Sequence, residues 1–367
     1  MHMIRVRDDV RSIAPYRPGR PVAEVAREFG FDPDEIVKLA SNESPVPPVR
    51  EAIAAMSEEV GNINRYPDND CHDLRHGLAD HLEVPADHVW IGGGSSELLR
   101  VIATALGGAG TTAVYAWPSF VIYRLATILA GATPKEVPLT EGHVHDLEAM
   151  RAAIDDTTTV VYVCNPNNPT GSHLPSDAIE EFIDAVSTDV LVVVDEAYHE
   201  YVTADDYETA MRSALSRPNV IVTRTFSKVY GLAALRVGYA IARPETITEL
   251  RKAQAPFSVT SVGQVGALSS LSAQDEIDER IGVNAAERSR LERAFADRAI
   301  EYVPSQANFV YLRLGSSTQR TADAFIHHGV IVRPFGDGWI RVSVGTPDEN
   351  DRFLAALDLE QAGLAAG

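Results

Sequence analysis

From His88 onward, short β-branched runs alternate with amphipathic stretches of helical period. HVWI precedes SELLRVIATAL, TTAVYA precedes PSFVIYRLATILAG, and TVVYVC precedes SDAIEEFIDAV, with DVLVVVDE, NVIVTRT and RVGYAIA after them. Runs that are apolar throughout suit strands covered on both faces, so the alternation predicts a mostly parallel sheet with helices on both sides, an α/β fold. After Pro256 the pattern changes to two long helical segments, SVGQVGALSSLSA and DEIDERIGVNAAERSRLERAFADR, and then to the strand-like NFVYLRL, GVIVRPF and WIRVSVG. That mixture predicts a smaller α+β domain. The first 40 residues combine IAPYRPGRP with one short helical pattern, VAEVAREFG, which predicts an arm that packs on something else. The expected division is therefore an arm and part of the small domain over 1–40, a large domain over 41–256 and a small C-terminal domain over 257–367.

Composition narrows the function. A chain of 367 residues with 32 basic and 52 acidic side chains carries a net charge of -20, which opposes binding to nucleic acid or to an anionic membrane. Neither partner is expected. Cys71 and Cys164 are the two cysteines, without a CxxC or zinc-type spacing, so a disulfide framework and a structural metal are not expected and a reducing cytoplasm fits. The N-terminal MHMIRVRDDVRSIAPY lacks the apolar core of a signal peptide, and no window approaches an apolar span of roughly 20 residues, which predicts a soluble, unexported protein.

In open α/β sheets ligands collect at the carboxyl ends of strands, and four loops there carry unusual chemistry. Gly92, Gly93 and Gly94 precede Ser95, Ser96 and Glu97 at the start of a helix. Glycines let a backbone approach an anion, and a helix N-terminus attracts phosphate; a plain tight turn with a serine cap is the other reading. The run departs from the dinucleotide fingerprint, because Glu97 stands at the third glycine position. Asn165-Pro166-Asn167-Asn168-Pro169-Thr170-Gly171 follows TVVYVC and can project amides toward a ligand or serve only as a rigid turn. Asp195-Glu196-Ala197-Tyr198 ends LVVVDEAY, where an acid is costly to bury unless it meets a cation; a helix-capping or solvated Asp is the alternative.

The fourth loop is Thr225-Phe226-Ser227-Lys228, with Arg236 eight residues on. The chain has four lysines. Lys252 sits on a polar helical face, Lys135 in a Pro-flanked connection, and Lys38 closes a short amphipathic segment, which marks those three as surface charges. Lys228 alone follows a buried-looking strand among hydroxyl residues. A desolvated amine near other cations has a lowered pKa and becomes a nucleophile able to form an imine. An amine, a buried acid, hydroxyl and amide donors and a phosphate cradle together match pyridoxal phosphate.

These residues resemble the fold-type-I aminotransferases, in particular the histidinol-phosphate aminotransferase family and the bacterial aromatic amino-acid aminotransferases. The resemblance covers nearly the whole chain through LASNES (39–44), NRYPDN (64–69), GGGSSE (92–97), NPNNPTG (165–171), DEAY (195–198), RTFSKVYGLAALRVGY (224–239), SQANF (305–309) and IRVSVG (340–345). It implies that Lys228 forms the imine with pyridoxal 5'-phosphate and that Asp195 pairs with the pyridine nitrogen. Asn168 and Tyr198 would hydrogen-bond the ring oxygen, and Phe120 would cover the ring. Ser95, Ser96, Thr225, Ser227 and Arg236 would form the phosphate side of the site, and Tyr66 would reach it from a neighbouring subunit of a homodimer. Arg341 would receive the substrate carboxylate, with Arg333 as a second anion reader, Asn308 supporting the same pocket and Tyr16 of the arm closing it.

Three positions depart from the family pattern. Phe120 stands where many members place a tyrosine, Phe257 where some histidinol-phosphate enzymes carry one, and Ser96 replaces a frequent aspartate. The implied reaction moves an amino group from histidinol phosphate or an aromatic amino acid to 2-oxoglutarate, with Lys228 both anchoring the cofactor and moving the proton. A decarboxylase of the threonine-phosphate type shares the same cofactor set and is the alternative. A regulator built on this fold is disfavoured, since Lys228 is retained and no basic DNA-binding domain is appended.

Overall fold

A computed structural model describes residues 4–15, 19–315 and 318–366, and its strands fall into three sheets. A short strand, β1 (Val37–Lys38), precedes the seven strands of the main sheet. These are β2 (Val89–Gly92), β3 (Thr112–Trp117), β4 (Thr133–Pro138), β5 (Thr158–Cys164), β6 (Leu191–Asp195), β7 (Val220–Thr225) and β8 (Gly238–Ala242). Across the sheet their order is β2, β8, β7, β6, β5, β3, β4. β7, β6, β5, β3 and β4 run parallel, while β8 is antiparallel to both of its neighbours. The expected mostly parallel sheet is therefore present, with one reversed strand.

Side chains alternate across a strand, so an apolar run feeds two cores at once. Val161, Val163, Val192, Val194, Val220 and Val222 face one core, shared with Leu74 and Leu78 of helix His72–Leu82 and Ile179, Phe182 and Ile183 of helix Ser176–Ala185. Val160, Tyr162, Leu191, Val193 and Ile221 face the other, against Leu98, Leu99 and Ile102 of helix Ser95–Leu106 and Tyr123 of helix Val121–Leu129. Each fully buried valine or isoleucine contributes about 1.5–3 kcal/mol of transfer free energy, and such double-sided burial fixes the register of the strands.

Lys135 lies within β4 and not in a connection. Pro134 and Pro138 lack the N–H of a central ladder strand, but β4 is the edge and pairs only with β3, so the prolines cost little there. The surface reading of the lysines fares better: Lys38 meets Glu43 at 2.9 Å, Lys135 meets Asp155 at 2.6 Å and Lys252 meets Glu249 at 2.6 Å.

The C-terminal part holds β9 (Tyr302–Val303), β10 (Phe309–Arg313), β11 (Val330–Ile331), β12 (Arg333–Gly336) and β13 (Trp339–Ser343). β12, β13, β10 and β9 form an antiparallel sheet. β11 pairs instead with β1, which ties the N-terminal segment to this part of the chain. Val310, Leu312, Ile340 and Val342 pack on Phe295, Phe325, Phe353 and Leu357, together with Val37 and Leu39. Helix Ser261–Ser270 lies instead against helices Arg50–Glu59 and His72–Leu82. The long helix Gln274–Asp297 spans both cores, with Ile277 in the large one and Leu291 and Phe295 in the small one. Among the described residues no helix is long and apolar enough to cross a membrane.

Candidate active site

The strands of the main sheet deliver polar residues to one edge because their apolar interiors end together. Cys164 pairs with Asp195 across β5 and β6, and Asp195 pairs with Thr223 across β6 and β7. β2 runs in the same direction as β7, since both oppose β8, so the helix that begins at Ser95 starts at that same edge. Above it lies a cavity of about 570 Å³. Ser95, Ser96, Phe120, Asn168, Asp195, Tyr198, Thr225, Ser227, Lys228, Arg236, Arg333 and Arg341 all line it, together with Trp117 and Phe335.

Lys228 donates to the backbone oxygen of Asn42 at 3.1 Å, and its amine lies 5.3 Å from the centre of the Tyr198 ring. Burial lowers this amine to about 7; the cations of Arg341 and Arg236 act in the same direction, and Glu43 and Asp195 oppose them. Asp195 is 1% exposed. Its Oδ2 accepts from the Tyr123 hydroxyl at 2.7 Å, whereas Oδ1 is buried without a hydrogen bond of ordinary geometry. Burial pushes this carboxyl up to about 6 against the pull of the Tyr123 hydroxyl. A cation or N–H brought to Oδ1 would relieve that cost.

Gly94 has a φ of +78° and begins the helix Ser95–Leu106. A Cβ at this position would lie 2.4 Å from Nη2 of Arg236, so the guanidinium packs against the bare backbone. Arg236 also donates to Ser227 Oγ at 3.2 Å and to the carbonyl of Ala233 at 3.0 Å. Thr225 Oγ1 and Ser227 Oγ are 2.9 Å apart. A guanidinium, three serine hydroxyls, one threonine hydroxyl and a helix N-terminus thus meet on one side of the cavity, an arrangement that suits a phosphate.

The opposite wall comes from the small sheet. Tyr311, Arg341 and Arg333 stand side by side across β10, β13 and β12. Arg341 is 7% exposed and stacks over Phe309 at 5.2 Å and Phe335 at 5.4 Å. It donates to the carbonyl of Ala40 at 2.9 Å and to Asn168 Oδ1 at 2.5 Å. With Oδ1 so engaged, the Nδ2 of Asn168 is the end left to face the cavity. The other asparagines of its loop serve the fold: Asn165 exchanges hydrogen bonds with Leu174, and Asn167 Oδ1 accepts from Ser119 at 2.7 Å.

Three sequence-derived residues are not among those that line this cavity. Tyr16 lies outside the described residues. Tyr66 is 82% exposed and stacks on Phe257 with ring centres 4.7 Å apart. Asn308 is buried behind the cavity wall, where its Nδ2 donates to the backbone oxygen of Asn42 at 3.2 Å, and it lines a neighbouring cavity of about 290 Å³. Two residues given no role by sequence belong to the site. Tyr123 reads as a core aromatic of VIYRLATIL, and Asn42 lies inside LASNES, where its apolar neighbours Leu39 and Ala40 mark the segment as buried.

The model of the family "Aminotransferase class I and II" matches residues 34–357. An aromatic amino acid aminotransferase of Thermobifida fusca is 45% identical over 350 residues, 95% of each chain. A histidinol-phosphate aminotransferase of Ralstonia nicotianae is 43% identical over 366 residues, 97% of this chain and 98% of its own. Among solved structures, the histidinol-phosphate aminotransferase of Sinorhizobium meliloti in complex with pyridoxal-5'-phosphate superposes with a TM-score of 0.87 at 30% identity, over 97% of both chains. These relatives bear aminotransferase names, which favours transamination over the decarboxylase alternative. Because the family match and the similarity to these relatives both run through the large sheet and the small one, the chain belongs to the class I and II aminotransferases and is a transaminase.

Proposed function

We propose that this transaminase moves an amino group from L-histidinol phosphate or an aromatic amino acid to 2-oxoglutarate, with pyridoxal 5'-phosphate as cofactor. One observation carries the reading: the amine of Lys228 and the buried Oδ1 of Asp195 share a single cavity with three arginines, Arg236, Arg333 and Arg341, and four aromatic side chains, Trp117, Phe120, Tyr198 and Phe335. The names of the similar proteins supply both donor classes.

The residues present fit the cofactor. Asp195 Oδ1 is a buried acceptor in need of a charged N–H, and a Cβ at Gly94 would fill the space beside Arg236. When bound, pyridoxal 5'-phosphate supplies an electron sink for the pair left as the substrate Cα–H bond breaks. Lys228 would anchor the cofactor, and its amine, lowered to about 7 by burial, would move the proton of the substrate α-carbon. Asp195 would keep a proton on the ring nitrogen. Tyr198 and Asn168 would donate to the ring oxygen, Phe120 would cover the ring, and Ser95, Ser96, Thr225, Ser227 and Arg236, which line the same cavity, would hold the phosphate. Arg341 takes the substrate carboxylate as a planar bidentate donor, and Arg333 a second anionic group, so one site serves two substrates. Asn308 supports this pocket through the Asn42 carbonyl.

We further propose a homodimer in which Tyr66 completes the phosphate site of the partner subunit. Its support is the exposure of Val60 (54%), Ile63 (63%), Tyr66 (82%) and Phe257 (43%), apolar surface that a second subunit would cover. We also propose a cytoplasmic location, a reading supported by the free thiols of Cys71 and Cys164, which suit a reducing compartment.

The deciding experiment measures glutamate formed from 2-oxoglutarate with histidinol phosphate, phenylalanine and tyrosine as competing donors. A preference of tenfold or more in kcat/KM, about 1.4 kcal/mol in the transition state, assigns the donor. No glutamate from any of the three overturns the reading.

A further inference from the structure

Asn42 follows β1 with a φ of +53°, in the left-handed region that asparagine tolerates better than most residues. It is 1% exposed, and each of its polar groups has a partner. Its backbone N–H donates to Ser343 Oγ at 2.9 Å, and the Ser343 hydroxyl donates to Asn42 Oδ1 at 3.2 Å. Its carbonyl accepts from Lys228 and from Asn308. That leaves Nδ2 to the Tyr198 hydroxyl, 3.0 Å away. Ser343, at the end of β13, thus sets which end of the amide faces Tyr198.

A phenol has one proton to donate and lone pairs that accept. With an N–H of Asn42 on one lone pair, the hydroxyl proton of Tyr198 is directed away from Asn42. We propose that Asn42 is a positioning residue whose side-chain amide holds the Tyr198 hydroxyl as a donor toward the ring oxygen of the cofactor. The inference rests on the reading of Tyr198 given above. The other groups that face Tyr198 are Arg341, Cys164, Asp195 and the amine of Lys228, and of these only Lys228 contacts Asn42, through the backbone carbonyl that a side-chain substitution leaves in place.

The visible absorbance of the lysine-bound cofactor titrates with pH, and a donor on the ring oxygen lowers the midpoint of that titration. Asn42→Gly keeps the left-handed backbone and removes the amide, so the midpoint should rise, by on the order of one pH unit or less for one hydrogen bond. Asn42→Asp offers an acceptor that draws the Tyr198 proton away, and should raise it further. In a Tyr198→Phe background Asn42→Gly should not add to the shift that Tyr198→Phe itself causes. A purely structural role would alter melting and cofactor affinity without moving the midpoint.

The inference is overturned if Tyr198→Phe moves the midpoint and Asn42→Gly does not, or if Asn42→Gly moves it equally without the tyrosine hydroxyl. If Tyr198→Phe leaves the midpoint in place, the reading of Tyr198 falls and this inference with it. Should Asn42→Gly fail to hold the cofactor, Ser343→Ala, which frees the amide to turn, is read in the same way. A raised midpoint supports the proposal and an unchanged one overturns it.

Discussion

The proposed role of Lys228 makes cofactor uptake depend on an amine that loses its proton near neutrality. Lys228 is lowered to about 7 by burial and neighbouring cations, and only the neutral form attacks a carbonyl. The rate at which cofactor-free protein takes up pyridoxal 5'-phosphate should therefore rise with pH and flatten above about 7, as read by stopped-flow absorbance. A rate that climbs steadily to pH 10 would contradict the shifted amine. Stability follows the same group: between about 7 and 10.5 the unfolded chain keeps a proton that folded, cofactor-free protein has lost, so stability rises with pH across that window. Lys228→Met should remove that part of the rise in Tm. Lys228→Ala should lower transamination by at least 10² to 10⁴-fold, about the range of a general acid–base group; activity at the native rate would refute its role. Asp195 was legible in the sequence because an acid ends an otherwise apolar strand, and Lys228 because it is the one lysine of four that follows a buried-looking strand. Asn42 and Tyr123 were not, since their partners Tyr198 and Asp195 lie 156 and 72 residues away and only the folded sheet brings them together.

β6 and β7 are locked by more than their backbone ladder. Arg224 and Glu196 pair at 2.8 Å with side chains 5% and 1% exposed. Removing one partner leaves a buried charge, so Glu196→Leu or Arg224→Met should each cost about 3–5 kcal/mol in denaturant unfolding, whereas Glu196→Leu with Arg224→Met should cost less than the sum of the two. Equal additivity would show that the pair is not a unit. The loop after β2 makes its own prediction: Gly94→Ala forces a Cβ toward Arg236, and the Kd for pyridoxal 5'-phosphate should rise tenfold or more, about 1.4 kcal/mol. Unchanged affinity would remove Arg236 from the phosphate cradle. The strands that ring the site were readable because continuous apolar runs have few other uses, and the helices that cover them because their apolar faces repeat. β4 escaped because its prolines read as a connection, a signal that edge position overrides. Helices Arg50–Glu59 and His72–Leu82 escaped because few of their residues are buried, Ala52 alone in the first and Leu74, Leu78 and Ala79 in the second.

At the scale of the whole molecule, a net charge of -20 and an exposed apolar strip pull in opposite directions. Charge repulsion between two copies is screened within about 8 Å at physiological salt, whereas buried apolar area is not, so salt should strengthen a dimer built on Ile63, Tyr66 and Phe257. If Tyr66 serves the partner's site, the two sites of a dimer depend on each other in a way that mixing exposes. On that reading, subunits carrying Lys228→Ala should be inactive and subunits carrying Tyr66→Ala impaired at the phosphate. In a mixed dimer the Lys228→Ala subunit contributes an intact Tyr66 to the site that still holds Lys228, so one site in that dimer has every residue it needs. Unfolding and refolding the two variants together should restore up to half of native activity per mixed dimer, while each variant alone stays low. Were Tyr66 to act within its own subunit, no mixed dimer would contain a complete site, and the mixture would show only the average of its parts.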